Sequence, residues 1–149
     1  MFKPKHVYIE KEALDYTLGK ELKKQFEDMQ IPVDILESNR VNFLRGKSVQ
    51  EKYEIGKRVL VIGVRRTLEF QSCKPSAHYQ LPLVTGCIGK CEYCYLNTNL
   101  KDKPFTRIYV NHDDILKKAK RYTPTGHIKP TIFEGSATSE PVPVEPYTH

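Results

Sequence analysis

The chain has little of what holds a secreted or membrane-bound protein together. Four cysteines in 149 residues, with no leader pattern ahead of them, make a poor disulfide framework, a device of short, oxidised, secreted chains. No apolar run approaches the ~18 residues that cross a bilayer, so no membrane span is expected. A chain of this length can bury a core without covalent staples, and 39% of its residues are hydrophobic. The expected protein is soluble, and thiols left free for a metal point to a reducing cytoplasm. The net charge of +6 is compatible with a polyanionic partner, although lysines and arginines coating solvated faces explain an excess of this size equally well.

What is present is concentrated in Cys87-Ile-Gly-Lys-Cys91-Glu-Tyr-Cys94. Soft thiolates select zinc, copper or iron–sulfur clusters. A [4Fe–4S] cluster takes four cysteines, one per iron. Three cysteines would leave one iron open to an exogenous ligand, as an open position does on a catalytic zinc. Two other readings use the same residues. Cys73 could complete a four-cysteine zinc site, and Cys91-x-x-Cys94 could be a dithiol redox pair. Zinc sites usually pair two similar knuckles, whereas Cys73 stands alone in Ser72-Cys73-Lys74-Pro75.

The flanking chain reads as α/β. His6–Ile9 is a strand, followed by a helix over 11–29 in which Leu18, Leu22, Phe26 and Met29 form an apolar stripe and Gly19 weakens the middle. Pro32 closes it and Val33–Leu36 is the next strand. Residues 37–57 read as irregular and polar. Arg58–Val64 is a buried strand of β-branched residues, with Arg65 and Arg66 ending it in solvent. His78 reads as a polar residue near the surface. Tyr79–Thr85 is a further strand, and Gly86 and Gly89 let the backbone wrap closely around a cluster. Arg107–Val110 is extended. Asn111 is placed to N-cap a helix over 112–122, with Asp114 and Lys118 paired across one turn. Pro130–Phe133 reads as a strand ending in small and hydroxylic residues, and the proline-punctuated tail from Pro141 cannot be a central strand.

The cysteine spacing, with Tyr93 just before the last thiol, resembles the signature of the radical S-adenosylmethionine enzymes. The longer runs Leu81-Pro-Leu-Val-Thr-Gly-Cys87, Cys94-Tyr95-Leu96-Asn97-Thr98 and Lys103-Pro104-Phe105-Thr106-Arg107-Ile108-Tyr109-Val110-Asn111 resemble the spore photoproduct lyases. The resemblance extends, less sharply, over nearly the whole chain. It implies an amino-terminal α/β subdomain over 1–78 and, over 79–149, the first units of a partial (β/α)6 barrel, in a chain shorter than such a barrel needs. It also implies a [4Fe–4S] cluster on Cys87, Cys91 and Cys94. S-adenosylmethionine would lie against Tyr93, Gly135, Ser136 and Ser139, and an electron donor such as a flavodoxin or ferredoxin would serve the cluster.

The implied activity is carbon–carbon bond cleavage in DNA of the spore core. A 5′-deoxyadenosyl radical takes hydrogen from C6 of 5-thyminyl-5,6-dihydrothymine, and the bridge fragments to two thymines. Tyr93 and Tyr95 would assist hydrogen return. One departure stands out: where the family usually carries a cysteine that returns hydrogen to the product, this chain has Ala137. The expectation is incomplete repair with aberrant products. Cys73 is a conceivable substitute donor that the sequence alone does not place near the site. Two alternatives stay open at this point: another radical S-adenosylmethionine enzyme, and a non-catalytic zinc module that contacts nucleic acid.

Overall fold

The computed structural model describes residues 2–100, 103–123, 129–135 and 138–148, and only the backbone of residues 97 and 98. Its elements are β1 (His6–Glu10), a 3₁₀ helix (Lys11–Asp15), α1 (Thr17–Asp28), β2 (Val33–Leu36), α2 (Val49–Gly56) and β3 (Val59–Gly63). Then come β4 (Tyr79–Gln80), β5 (Val84–Thr85), α3 (Tyr95–Leu100), β6 (Thr106–Tyr109) and α4 (His112–Ala119), which continues as a 3₁₀ turn over Lys120–Tyr122. β7 (Phe133–Glu134) and a last 3₁₀ helix (Val142–Tyr147) follow. The α/β class expected from the sequence is the one observed.

Five strands form one sheet in the order β2-β1-β3-β6-β5. The first four run parallel, and β5 is an antiparallel edge beside β6. β3 lies at the centre and all five of its residues are buried. Its side chains alternate between two cores. Leu60 and Ile62 join Val7, Ile9, Leu22, Phe26 and Ile108 on the face covered by α1; Val59 and Val61 meet Leu44, Phe105 and Ile55 on the other. This two-sided burial is why β3 reads as a continuous apolar run instead of an alternating one. The sheet runs through residue 78, since β5 and β6 extend it from the far side of that position. A second, two-stranded parallel sheet pairs β4 with β7, over a cluster of Phe70, Tyr109 and Ile115.

Several local expectations are corrected. The helix expected over 11–29 is two elements, because Tyr16 adopts an extended backbone between them. Gly19 is not a weak point in a long helix but the place where α1 passes against the 3₁₀ helix: a Cβ there would run into the Ala13 carbonyl. Residues 37–57 are not irregular throughout. Ser48 caps α2 with its side chain accepting from the Glu51 N–H while Glu51 reaches back to the Ser48 N–H, a complete capping box. The strand expected over 79–85 is split. Leu81 N–H still bonds Glu134 O at 2.8 Å, but Leu83 O accepts from Tyr109 N–H at 3.1 Å, so the chain changes sheets across Pro82, which has no N–H to offer a ladder. The strand expected over 130–133 begins at Phe133 instead.

Asn111 stands at the N-cap of α4 but its side chain does not cap. It accepts from Arg65 N–H at 2.8 Å and donates to Arg65 O at 3.0 Å, which ties the end of β3 to the end of β6. Asp114 accepts from Tyr16 Oη and Lys118 pairs with Glu69 at 3.0 Å, so the expected Asp114–Lys118 pair is replaced by two tertiary ones. Arg66 is exposed, as expected, but its guanidinium is tethered: it pairs with the buried Glu10 and with Glu12. The tail packs as a 3₁₀ helix, with Tyr147 fully buried against Phe26 and its hydroxyl donating to Phe2 O at 2.5 Å. Among the described residues no helix is long and apolar enough to cross a membrane.

Candidate functional site

β4 and β7 run parallel, and both lead, at their carboxyl ends, into the segments that carry the chemistry. After β4 the chain passes through β5 to Gly86 and the three cysteines; after β7 it enters Gly135–Ser139. The two segments meet. Gly86 N–H donates to Thr138 O at 3.1 Å, and Gly86 and Ser139 form a parallel bridge. Gly86 holds φ at +77°, and a Cβ there would drive into the Phe105 carbonyl just ahead of β6, so only glycine lets the loop leave the sheet at this point.

Among the described residues Cys87, Cys91 and Cys94 form no disulfide; the second is exposed and the others are half-buried. Gly89 lies inside the curve they make. Its N–H donates to Cys87 Sγ at 3.2 Å, and a Cβ on it would sit 3.2 Å from Cys87 Sγ and 3.7 Å from Cys91 Sγ. Cys94 N–H closes a turn on Cys91 O at 3.1 Å and leads into α3. Among the described residues no three or more His, Cys, Asp or Glu side chains are already gathered as a metal site. The donor set nevertheless suits a cluster: three soft sulfurs outside any disulfide on one short loop, with Gly89 close to the Cys87 and Cys91 sulfurs.

Helix α2 lies against this loop, and none of its contributions was foreseen from the sequence. Lys57, at its carboxyl end, is 4% exposed, and its ammonium donates to Cys87 O at 2.6 Å. Burial lowers the Lys57 pKa, while Cys87, Cys94 and Cys91, in that order, pull it up. Tyr53 presents its ring to Lys57 Nζ at 5.2 Å and to Lys90 Nζ at 5.9 Å. Glu54 accepts from Lys90 at 2.6 Å, and this bond holds its carboxyl below the ordinary carboxylate value. Gly56 lets α2 approach Pro104, whose Cγ would be 2.7 Å from any Cβ. The Ser48-x-x-Glu51 capping signature was the available signal for this helix.

The remaining expected residues fall in three groups. Tyr93 and Tyr95 are surface residues, 94% and 63% exposed. Ser139 sits beside Gly86 with its hydroxyl oxygen buried and, among the described residues, without a hydrogen-bond partner. Gly135 faces open space, and Thr138 Oγ1 accepts from Gln80 Nε2 at 3.2 Å. A buried hydroxyl that has no hydrogen-bond partner among the described residues, next to the thiol loop, suits a polar cofactor such as S-adenosylmethionine. Ser136 and Ala137 lie outside the described residues.

Cys73 is brought to β7. Its thiol bonds Glu134, whose carboxylate also accepts from Ser76 Oγ at 2.7 Å. Burial first, and then the Glu134 carboxylate, push the Cys73 pKa up. It is not gathered with the other three cysteines among the described residues. His78 is exposed and accepts from Ile132 N–H through Nδ1 at 2.9 Å. A groove of about 710 Å³ between α4 and β7 holds none of the four thiols.

A family model described as spore photoproduct lyase matches residues 2–149. The chain belongs to the spore photoproduct lyase family. It is 49% identical to the spore photoproduct lyase of Clostridium acetobutylicum over 144 residues, 97% of this chain and 43% of that one. It is 46% identical to that of Bacillus subtilis strain 168 over 149 residues, 99% of this chain and 44% of the other. The chain therefore spans less than half the length of the family members it matches. Among solved structures it superposes with a TM-score of 0.93 and 49% identity, over 99% of this chain and 44% of that one, on a spore photoproduct lyase double mutant. That structure holds AdoMet and dinucleoside spore photoproduct. In it a cysteine is changed to alanine and a serine to cysteine, the two positions as far apart in sequence as Ala137 and Cys73 are here. A tyrosine-to-phenylalanine mutant of a spore photoproduct lyase superposes with a TM-score of 0.91.

Proposed function

We propose that this chain is the cluster- and S-adenosylmethionine-binding part of a DNA repair lyase that reverses the spore photoproduct to two thymines. The observation that carries the reading is the meeting of the three-thiol loop with the 135–139 segment at Gly86 and Ser139, on a chain of this family. Cys87, Cys91 and Cys94 would hold a [4Fe–4S] cluster, and Tyr93, Gly135, Ser136 and Ser139 the S-adenosylmethionine. When bound, this pair supplies a 5′-deoxyadenosyl radical able to remove hydrogen from C6 of the lesion. A low-potential one-electron donor such as a flavodoxin or ferredoxin is required, and the setting is the reducing interior of the spore, where the damaged DNA is.

The chain's own residues account for the rest. Fragmentation of the thymine bridge leaves one product thymine short of a hydrogen atom at its methylene carbon. Ala137 has no S–H to give. Cys73 does, and the structure sets it on Glu134, in the strand that runs into the cofactor segment. The raised Cys73 pKa keeps the sulfur protonated, the form from which a hydrogen atom can leave. In our reading Cys73 would give its hydrogen atom to the product thymine, leaving the unpaired electron on its sulfur, and Tyr93 and Tyr95 would assist the return of a hydrogen atom to that sulfur. Incubation of the complete protein with dinucleoside spore photoproduct, S-adenosylmethionine and reductant is expected to yield thymidines cleanly. Aberrant thymine adducts as the main product would refute the role of Cys73 and restore the expectation of incomplete repair. No cleavage by the iron-loaded protein would refute the lyase reading.

A further inference from the structure

Lys57 is a buried cation whose surroundings match one purpose. It sits at the end of α2, 4% exposed, with its ammonium 2.6 Å from the Cys87 carbonyl and 5.2 Å from the Tyr53 ring centroid. An ammonium withdrawn from water needs compensating negative charge. Among the described residues its ammonium is hydrogen-bonded to the Cys87 carbonyl at the head of the three-cysteine loop and lies over the Tyr53 ring, and no carboxylate forms an ion pair with it. As neutral thiols these cysteines offer little compensation. As thiolates holding a cluster they offer a great deal, and the arrangement is complementary only in that state.

Helix α2 fixes the position. The Ser48–Glu51 capping box sets its start and Pro104 packs against Gly56 at its end. Lys90 reaches from the cysteine loop back to Glu54 at 2.6 Å and to the Tyr53 ring. Loop and helix are thus joined on both sides of Lys57, which has little freedom to turn away.

Building on the cluster reading above, we propose that Lys57 is the counter-charge of the three-thiolate site. It anchors the loop through the Cys87 carbonyl and raises the reduction potential of the cluster by stabilising its added electron. Lys57 is a positioning and tuning residue that touches no substrate. A fixed positive charge beside a cluster favours the reduced form, because reduction adds one negative charge there.

The test uses the complete protein and its Lys57→Met and Lys57→Arg variants. Each is reconstituted anaerobically with iron and sulfide and measured without lesion DNA, for iron content and for midpoint potential by titration followed with electron paramagnetic resonance. Lys57→Met is expected to shift the reduction equilibrium about tenfold toward the oxidised cluster, about 59 mV lower for one electron, and Lys57→Arg to restore most of the shift. Iron lost from a folded Lys57→Met and regained in Lys57→Arg also supports the assignment. A folded, fully loaded Lys57→Met with unchanged potential overturns it. Should Lys57→Met unfold, Lys57→Gln, which keeps a donor for the Cys87 carbonyl without the charge, carries the same two results. If the unsubstituted protein takes up no iron, the cluster reading fails and this assignment with it; an unchanged potential in a loaded variant refutes only the role of Lys57.

Discussion

Replacing Gly86 by alanine tests whether the start of the cysteine loop is pinned as the geometry requires. Two glycines share the same left-handed backbone, Gly46 and Gly86, both at φ +77°. That conformation costs an L-residue about 1–2 kcal/mol, and the lost freedom of the unfolded chain returns about 0.4–1 kcal/mol. Gly46 has nothing within 4 Å of a Cβ, so Gly46→Ala is expected to destabilise by about 0.5–1 kcal/mol. At Gly86 the new methyl would also enter the Phe105 carbonyl. Forcing β6 and the loop apart adds about 1–3 kcal/mol, for a total of about 2–4 kcal/mol. Urea unfolding followed by far-ultraviolet circular dichroism, compared at equal m-value, measures both variants. The displaced loop should also bind less iron after reconstitution, whereas Gly46→Ala should load normally. A Gly86→Ala variant no less stable than Gly46→Ala, with full iron content, would show that the loop is not held against β6.

Ser48→Ala removes one half of the capping box on α2 and is expected to cost about 1 kcal/mol, with faster hydrogen exchange in the last turn that carries Lys57; unchanged stability and exchange would refute the helix's dependence on its cap. Burial lowers the pKa of His112 from its ordinary 6.5, so the unfolded chain binds a proton more readily than the folded one. Stability should fall as pH drops below about 6.5, and a His112→Gln variant should lose that slope; an equal slope in both would exclude His112 as its source. Cys73→Ser should leave formation of 5′-deoxyadenosine intact while thymine adducts replace thymidines, and unchanged product would dismiss Cys73 as donor. Tyr147→Phe should cost about 1 kcal/mol for the bond to Phe2 O, read by thermal unfolding.

Elements with a strong period were legible in the sequence. The stripe of Leu18, Leu22, Phe26 and Met29 packs as its spacing predicts, and the β-branched run of β3 is the buried centre of the sheet. The three cysteines and the small-residue segment after β7 both stood out in the sequence, and Gly86 and Ser139 meet in the structure. What was missed depended on partners distant in sequence. Asn111 has the chemistry of an N-cap, but it bonds Arg65, and nothing local announces that choice. Lys57 closed a stretch read only as irregular and polar, because its contact with Cys87 comes from a loop thirty residues on. The split of residues 79–85 was partly signalled by Pro82, whereas the destination of each half, one in either sheet, depends on β6 and β7. Helix α2 was overlooked because it is short and weakly amphipathic, although its capping box was in plain view.

The proposed site is an open-site iron–sulfur cluster on Cys87, Cys91 and Cys94 beside a site for S-adenosylmethionine. The most direct measurement is iron, sulfide and zinc content with an absorption spectrum after anaerobic reconstitution, repeated after S-adenosylmethionine is added. About four irons and four sulfides per chain are expected, one per cluster corner, in a brown protein whose spectrum shifts with the cofactor and is unaffected by loss of Cys73. A colourless protein holding one zinc, and losing it with Cys73, would rule out the open-site cluster.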